Sequence, residues 1–254
     1  MIENDASARS LLDTSAASDD AVPVMGSTEC TARATEFVRS ALAGRGESHG
    51  LAHALAVRDL SLFIWHNAAS GAFAKTAALA ASGGLDPEHV IEIAAIMHDV
   101  CDHKYVDPST VDGRAAITRR DKFLERECES GAEAEAVREI VANVSYSREA
   151  NGEYDPETTL AEPIRTLRDI VSDADKLEAI GVVGLARCIE FRRETAQSDD
   201  TYEAMVADVA RHCDEKLLHL ATDFIRTAPG KALAAPRHRY LAEWREAARA
   251  VASY

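Results

Sequence analysis

From Thr28 onward, apolar residues recur at helical spacing, and β-branched alternating runs are missing. TARATEFVRSALA (31–43) predicts a first helix. GLAHALAVRDLSLFIWHNAASGAFA (50–74) holds a second, with Leu51, Leu55, Leu62 and Trp65 near one face. LDPEHVIEIAAIMHD (85–99) predicts a third, with Asp86 as N-cap, Pro87 at the first helical position and Glu88 in the first turn. EAEAVREIVANVS (133–145) gives a fourth. EPIRTLRDIVSDADKLEAIG (162–181) gives a fifth, with Pro163 near its start and Gly181 as its stop. The stretches 201–225 and 238–253 supply the last two. Loops are expected around 66–86, 105–117, 147–161 and 227–236, the second being the most turn-like. There is no internal repeat. The expected fold class is all-α: a single compact multi-helix globule over 28–254 with one core.

Composition changes the picture at the N-terminus. Residues 1–27 are rich in Ser, Ala and Asp and poor in large apolar groups, so they read as a disordered, dispensable tail. The same stretch has neither a basic region nor an apolar core of the kind a secretory signal needs. No run reaches the roughly 18 apolar residues of a membrane span. A net charge of −15 argues against a nucleic-acid surface, which needs a clustered basic face. Five cysteines (Cys30, Cys101, Cys128, Cys188 and Cys213) lack CxxC spacing and read as reduced thiols of a cytoplasmic protein. An oligomer is possible but not readable.

Candidate chemistry begins at IAAIMHDVCDHKY (93–105), where an oily run stops at His98-Asp99 and is followed by Asp102, His103 and Lys104. Taken alone, a His-Asp pair is a polar helix end facing solvent. Here it follows Ile91, Ala94, Ala95 and Met97, so its helix is packed on most sides, and a buried helix end must be satisfied by something. A cation would serve, but it needs more ligands. His49 and His53 are four apart, on one helical face, or are simply polar positions at a helix start. Asp173 and Asp175 lie in an apolar helix, where a carboxylate beside a buried stripe is costly unless paired or metal-bound. Imidazole and carboxylate together suit Mn²⁺, Fe²⁺, Ni²⁺, Zn²⁺ or a hydrated Mg²⁺.

A His, then His-Asp, then a distant Asp on helices resembles the HD-domain superfamily of metal-dependent phosphohydrolases, and more closely its YedJ-like subgroup. The resemblance rests on SHGLAHALAV, IMHDVCDHKY, IVANVSYS, IVSDADKLEAIGVVGLARCIEF and the stretch 211–244, and it covers roughly residues 35–248. It implies an all-helical site with one divalent metal ion held by His53, His98, Asp99 and Asp175, with Asp173 as the alternative to Asp175. Two such positions are about 200° apart around a helix and cannot both face one ion. Periodicity leans mildly to Asp175, because Asp173 reads as part of a solvated charge cluster with Asp169 and Lys176. The ADKL match carries most of the weight. His49 matches an additional His of the subgroup, as a substrate-binding or supporting group. There are departures. Many of these enzymes carry Lys three residues after the Asp of the doublet, where this chain has Asp102, and Lys104 follows two later. No His lies between His103 and His212, which argues against a dinuclear oxygenase.

The function this implies is hydrolysis of a small phosphomonoester or nucleotide-like substrate by a metal-activated water. Asp99 would ligate and orient, or Asp102 would take the proton; Lys104, Arg120 and Lys122 would meet phosphate charge. The competing readings are a non-catalytic nucleotide sensor using the same pocket, and a scaffold with a closed structural metal.

Overall fold

The computed structural model describes residues 29–44, 50–68, 71–195 and 201–251, and among them there is no strand. The helices run in the order α1 (Glu29–Ala41), α2 (Leu51–His66), α3 (Ala74–Ser82), α4 (Pro87–Met97), α5 (Val111–Glu127), α6 (Gly131–Asn143) and α7 (Tyr146–Ala150). It continues with α8 (Pro156–Thr159), α9 (Ile164–Glu178), α10 (Gly181–Thr195), α11 (Tyr202–His212) and α12 (Ala228–Val251). Two π-helical turns, Cys213–Leu217 and Leu220–Phe224, lie between α11 and α12. The expected tail and His49 fall outside the described residues.

The organising element is α4. Every residue from His89 to Met97 is buried, because α1, α2, α6 and α9 all pack against this helix. Its start follows the local code: Asp86 accepts hydrogen bonds from the amides of Glu88 (3.0 Å) and His89 (3.4 Å), and Pro87 needs no partner at the first position. Helices α2, α4, α6 and α9 make the central layer, and α10, α11 and α12 pack together beside it. At the end of α9, Gly181 adopts φ +78°, the left-handed turn that the sequence predicts there.

Four expected loops contain helix. Ala-rich α3 lies within 66–86; it buries only Thr76 and Ala80, too little to leave an apolar stripe. Helix α5 starts at Val111, inside 105–117, because the Thr110 hydroxyl caps it by accepting the Gly113 amide at 3.0 Å. The short α7 and α8 occupy much of 147–161. The expected 227–236 loop is the start of α12: Thr227 accepts the Gly230 amide at 3.0 Å, and the helix continues through Pro236 at the loss of one backbone bond.

Candidate metal centre

Three helices deliver four ligand-type side chains to one point. His53 stands in the first turn of α2, His98 and Asp99 at the C-terminal end of α4, and Asp175 in the last turn of α9. His53 Nε2 is 3.3 Å from Asp175 Oδ1 and 3.9 Å from Asp99 Oδ2. His98 Nε2 is 3.5 Å from Asp99 Oδ2 and 3.8 Å from Asp175 Oδ1. The ligand atoms of His53, His98 and Asp99 all lie within 4.8 Å of one another. Donors around one ion with bonds of roughly 2.0–2.2 Å have spacings of this order.

His98 provides the test of fit. Its Nδ1 is 2.7 Å from the Ala95 carbonyl, which can only accept, so Nδ1 carries a hydrogen and in the neutral ring Nε2 keeps its lone pair. That Nε2 is buried without a hydrogen-bond partner, an arrangement that costs free energy unless something electrophilic is there. Burial works against a charged imidazole, yet Asp99 and Asp175 outweigh it and raise the His98 pKa. Asp175 is held far below the carboxylate range: burial opposes this, and His53 and His98 overcome it. Burial, in contrast, lowers the His53 pKa. These carboxylates call for positive charge at this point. Arg187 Nη1 is 3.1 Å from His53 Nδ1. A guanidinium cannot accept, so this contact and a cation on His53 Nε2 need opposite tautomers. Were His53 Nε2 to bind a cation, Arg187 would have to turn away from Nδ1.

Asp173 points elsewhere. It is fully buried and accepts the backbone amides of Arg226 (2.8 Å) and Thr227 (2.7 Å) and the Thr227 hydroxyl (2.7 Å), tying α9 to the entry of α12. The solvated cluster expected around it is a buried one. Lys176 and Arg168 are fully buried, and Glu149 of α7 sits 3.0 Å from Lys176, 3.2 Å from Arg168 and 2.6 Å from Arg226. Helical periodicity places these residues beside apolar neighbours but cannot show that α7 brings a carboxylate to them.

The cluster opens into a cavity of about 530 Å³, within the range of small-molecule sites. Asp102, Lys104 and Arg120 line it. Asp102 Oδ1 accepts the Lys104 amide at 2.8 Å, and its Oδ2 is 4.0 Å from Lys104 Nζ. Arg120 is paired with Asp121 at 2.8 Å. Lys122 is exposed and is not among the cavity-lining residues, so the structure does not bring it to the substrate space. Five charged or titratable cavity residues are not singled out by the sequence: Arg148, Arg187, Arg192, His212 and Lys216. In sequence each is one more isolated charged or titratable group, and only the folding of α7, α10, α11 and the first π turn around the cluster collects them. A chain of net charge −15 thus encloses a cation-rich cavity.

An all-helical fold in which a His, a His-Asp doublet and a distant Asp converge at a cavity resembles the arrangement of the HD-domain superfamily. Similarity to known proteins agrees. The chain is 27% identical over 208 residues to the uncharacterized protein YpgQ of Bacillus subtilis, covering 82% of this chain and 86% of that protein. The crystal structure of YpgQ in complex with ADP matches with a TM-score of 0.54 at 21% identity, over 86% of this chain and 92% of that one. An HD-superfamily hydrolase from Bacillus thuringiensis matches with a TM-score of 0.56 at 22% identity, over 85% and 93%. No family model matches. The chain resembles the HD-domain superfamily and has its all-α fold. No helix among the described residues is long and apolar enough to cross a membrane.

Proposed function

We propose that this protein is an HD-type metal-dependent phosphohydrolase for a small phosphomonoester or nucleotide-like substrate. The observation that carries the reading is the buried, unpartnered His98 Nε2, facing two carboxylates and His53 at the edge of a cation-lined cavity. His53, His98, Asp99 and Asp175 would hold one divalent ion (Mn²⁺, Mg²⁺, Fe²⁺, Ni²⁺ or Zn²⁺), which when bound supplies Lewis acidity and an acidified water. Asp99 orients the attacking water, and Asp102, within the same cavity, accepts its proton. Lys104 and Arg120 neutralise phosphoryl charge. Tyr146 and Phe191 offer flat apolar surfaces in the cavity wall that suit a nucleobase. The ADP held by YpgQ supports a nucleotide-like ligand here.

The test is phosphate release from a panel of phosphomonoesters and nucleotides. Hydrolysis should vanish with EDTA and return with Mn²⁺. Chelator-insensitive hydrolysis would remove the metal from the mechanism. Nucleotide binding without turnover under any metal would favour the sensor reading.

A further inference from the structure

Lys216 is a cation that the fold holds in the cavity wall without a carboxylate in ion-pair contact among the described residues. It belongs to the π-helical turn Cys213–Leu217, in which Cys213 and Leu217 are buried in the core. A π turn inserts an extra residue into a helical repeat and so re-aims the side chains around it, a feature frequent at functional sites. Here Lys216 lines the metal-site cavity while its neighbours anchor the turn. Its ammonium lies 4.8 Å from the centre of the Tyr146 ring and has no hydrogen bond or carboxylate ion pair among the described residues. Lys104 and Arg187 share the cavity with it, and both push against its charge. Burial, and next Lys104, lower its pKa; Asp175 draws the other way, and Arg187 adds a smaller push down.

A partly desolvated ammonium without a paired carboxylate is unfavourable in the free protein, and an anion in the cavity offsets that. We propose that Lys216 is a direct contact to the phosphoryl oxygens of the substrate, set by the π turn against the wall facing the His/Asp cluster. The contact rests on the phosphohydrolase reading for its substrate class, but its anion-binding content is separable. Tyr146 supports the ammonium from the side, leaving its N–H donors to the ligand.

The experiment uses the full-length protein loaded with Mn²⁺ and inorganic phosphate as the probe, comparing wild type with Lys216→Gln, Lys216→Met and Lys216→Arg. Loss of one charge-assisted contact should weaken phosphate binding roughly tenfold or more in the Gln and Met variants. Arg should recover most of the affinity, and Mn²⁺ content should match wild type throughout. The melting temperature of the Met variant should equal or exceed that of wild type, since a strained charge is removed. A clear fall in melting temperature in both neutral variants would show instead that Lys216 holds the turn. Unchanged phosphate binding, or unchanged kcat and KM for any hydrolysed substrate, would overturn the assignment while leaving the hydrolase reading intact. If wild type binds phosphate through Lys216 but hydrolyses nothing, the contact stands and the hydrolase reading falls.

Discussion

Glu149→Gln should cost this protein about 3 kcal/mol at pH 7. The side chain is almost completely buried, and three cations converge on it. Its Oε1 accepts hydrogen bonds from Arg226 Nη2 (2.6 Å) and Nε (2.9 Å). Its Oε2 makes ion pairs with Arg168 (3.2 Å) and Lys176 (3.0 Å). Burial by itself would raise the pKa, but Lys176 and Arg168 outweigh it and hold the carboxyl at about 2 against an ordinary 4.5. A difference of roughly 2.5 units at about 1.4 kcal/mol each corresponds to about 3 kcal/mol. Breaking one partner of a buried ion pair gives the same order, roughly 3–5 kcal/mol. Gln preserves the volume, so the loss is electrostatic. Lys176, whose pKa burial already lowers, can regain part of it by giving up its proton.

The folded-state pKa is the depressed one, so the contribution is fully present above 4.5 and is lost as pH falls through about 2. Urea unfolding of wild type and variant should differ by about 3 kcal/mol at pH 7 and by roughly half that at pH 3. A difference under about 1 kcal/mol at pH 7, or one that does not shrink in acid, would refute the reasoning. The consequence reaches the site because α7 also carries Tyr146 and Arg148 into the cavity, and Glu149 locks it against the helix of Asp175.

Asp175→Asn should lose bound metal by elemental analysis, whereas Asp173→Asn should keep it. Asp173→Asn should instead lose about 1–3 kcal/mol of stability, because an amide nitrogen would face the donors of Arg226 or Thr227. A full metal complement in Asp175→Asn, with loss in Asp173→Asn, would reverse the ligand assignment. Lys104→Ala should leave metal content near that of wild type and cut phosphate release roughly tenfold or more. Loss of metal in that variant would mean that the substitution had disrupted the turn after α4 itself.

Much of the core was legible in sequence. Asp86-Pro87-Glu88 encodes the start of α4 by local hydrogen bonding, and its unbroken apolar run already states that it is surrounded. Gly181 marks the end of α9 because φ +78° suits a residue without Cβ. The order His53, His98-Asp99, Asp175 was legible too, since each residue stands on a recognisable helix. Where the signal is weak, as in α3 or Ala228–Pro236, the pattern reads as loop: few residues there are buried, or proline argues against continuation. Periodicity leans only mildly between Asp173 and Asp175, because both border the buried stripe. Which neighbour each meets is decided by other helices: two imidazoles for one, the amides entering α12 for the other. The cation-rich cavity is wholly tertiary. Residues 104, 120, 148, 187, 192 and 216 are far apart in the chain, and an isolated Lys or Arg looks the same whether it faces water or a substrate. Only packing brings them into one low-dielectric space, where their charges act together.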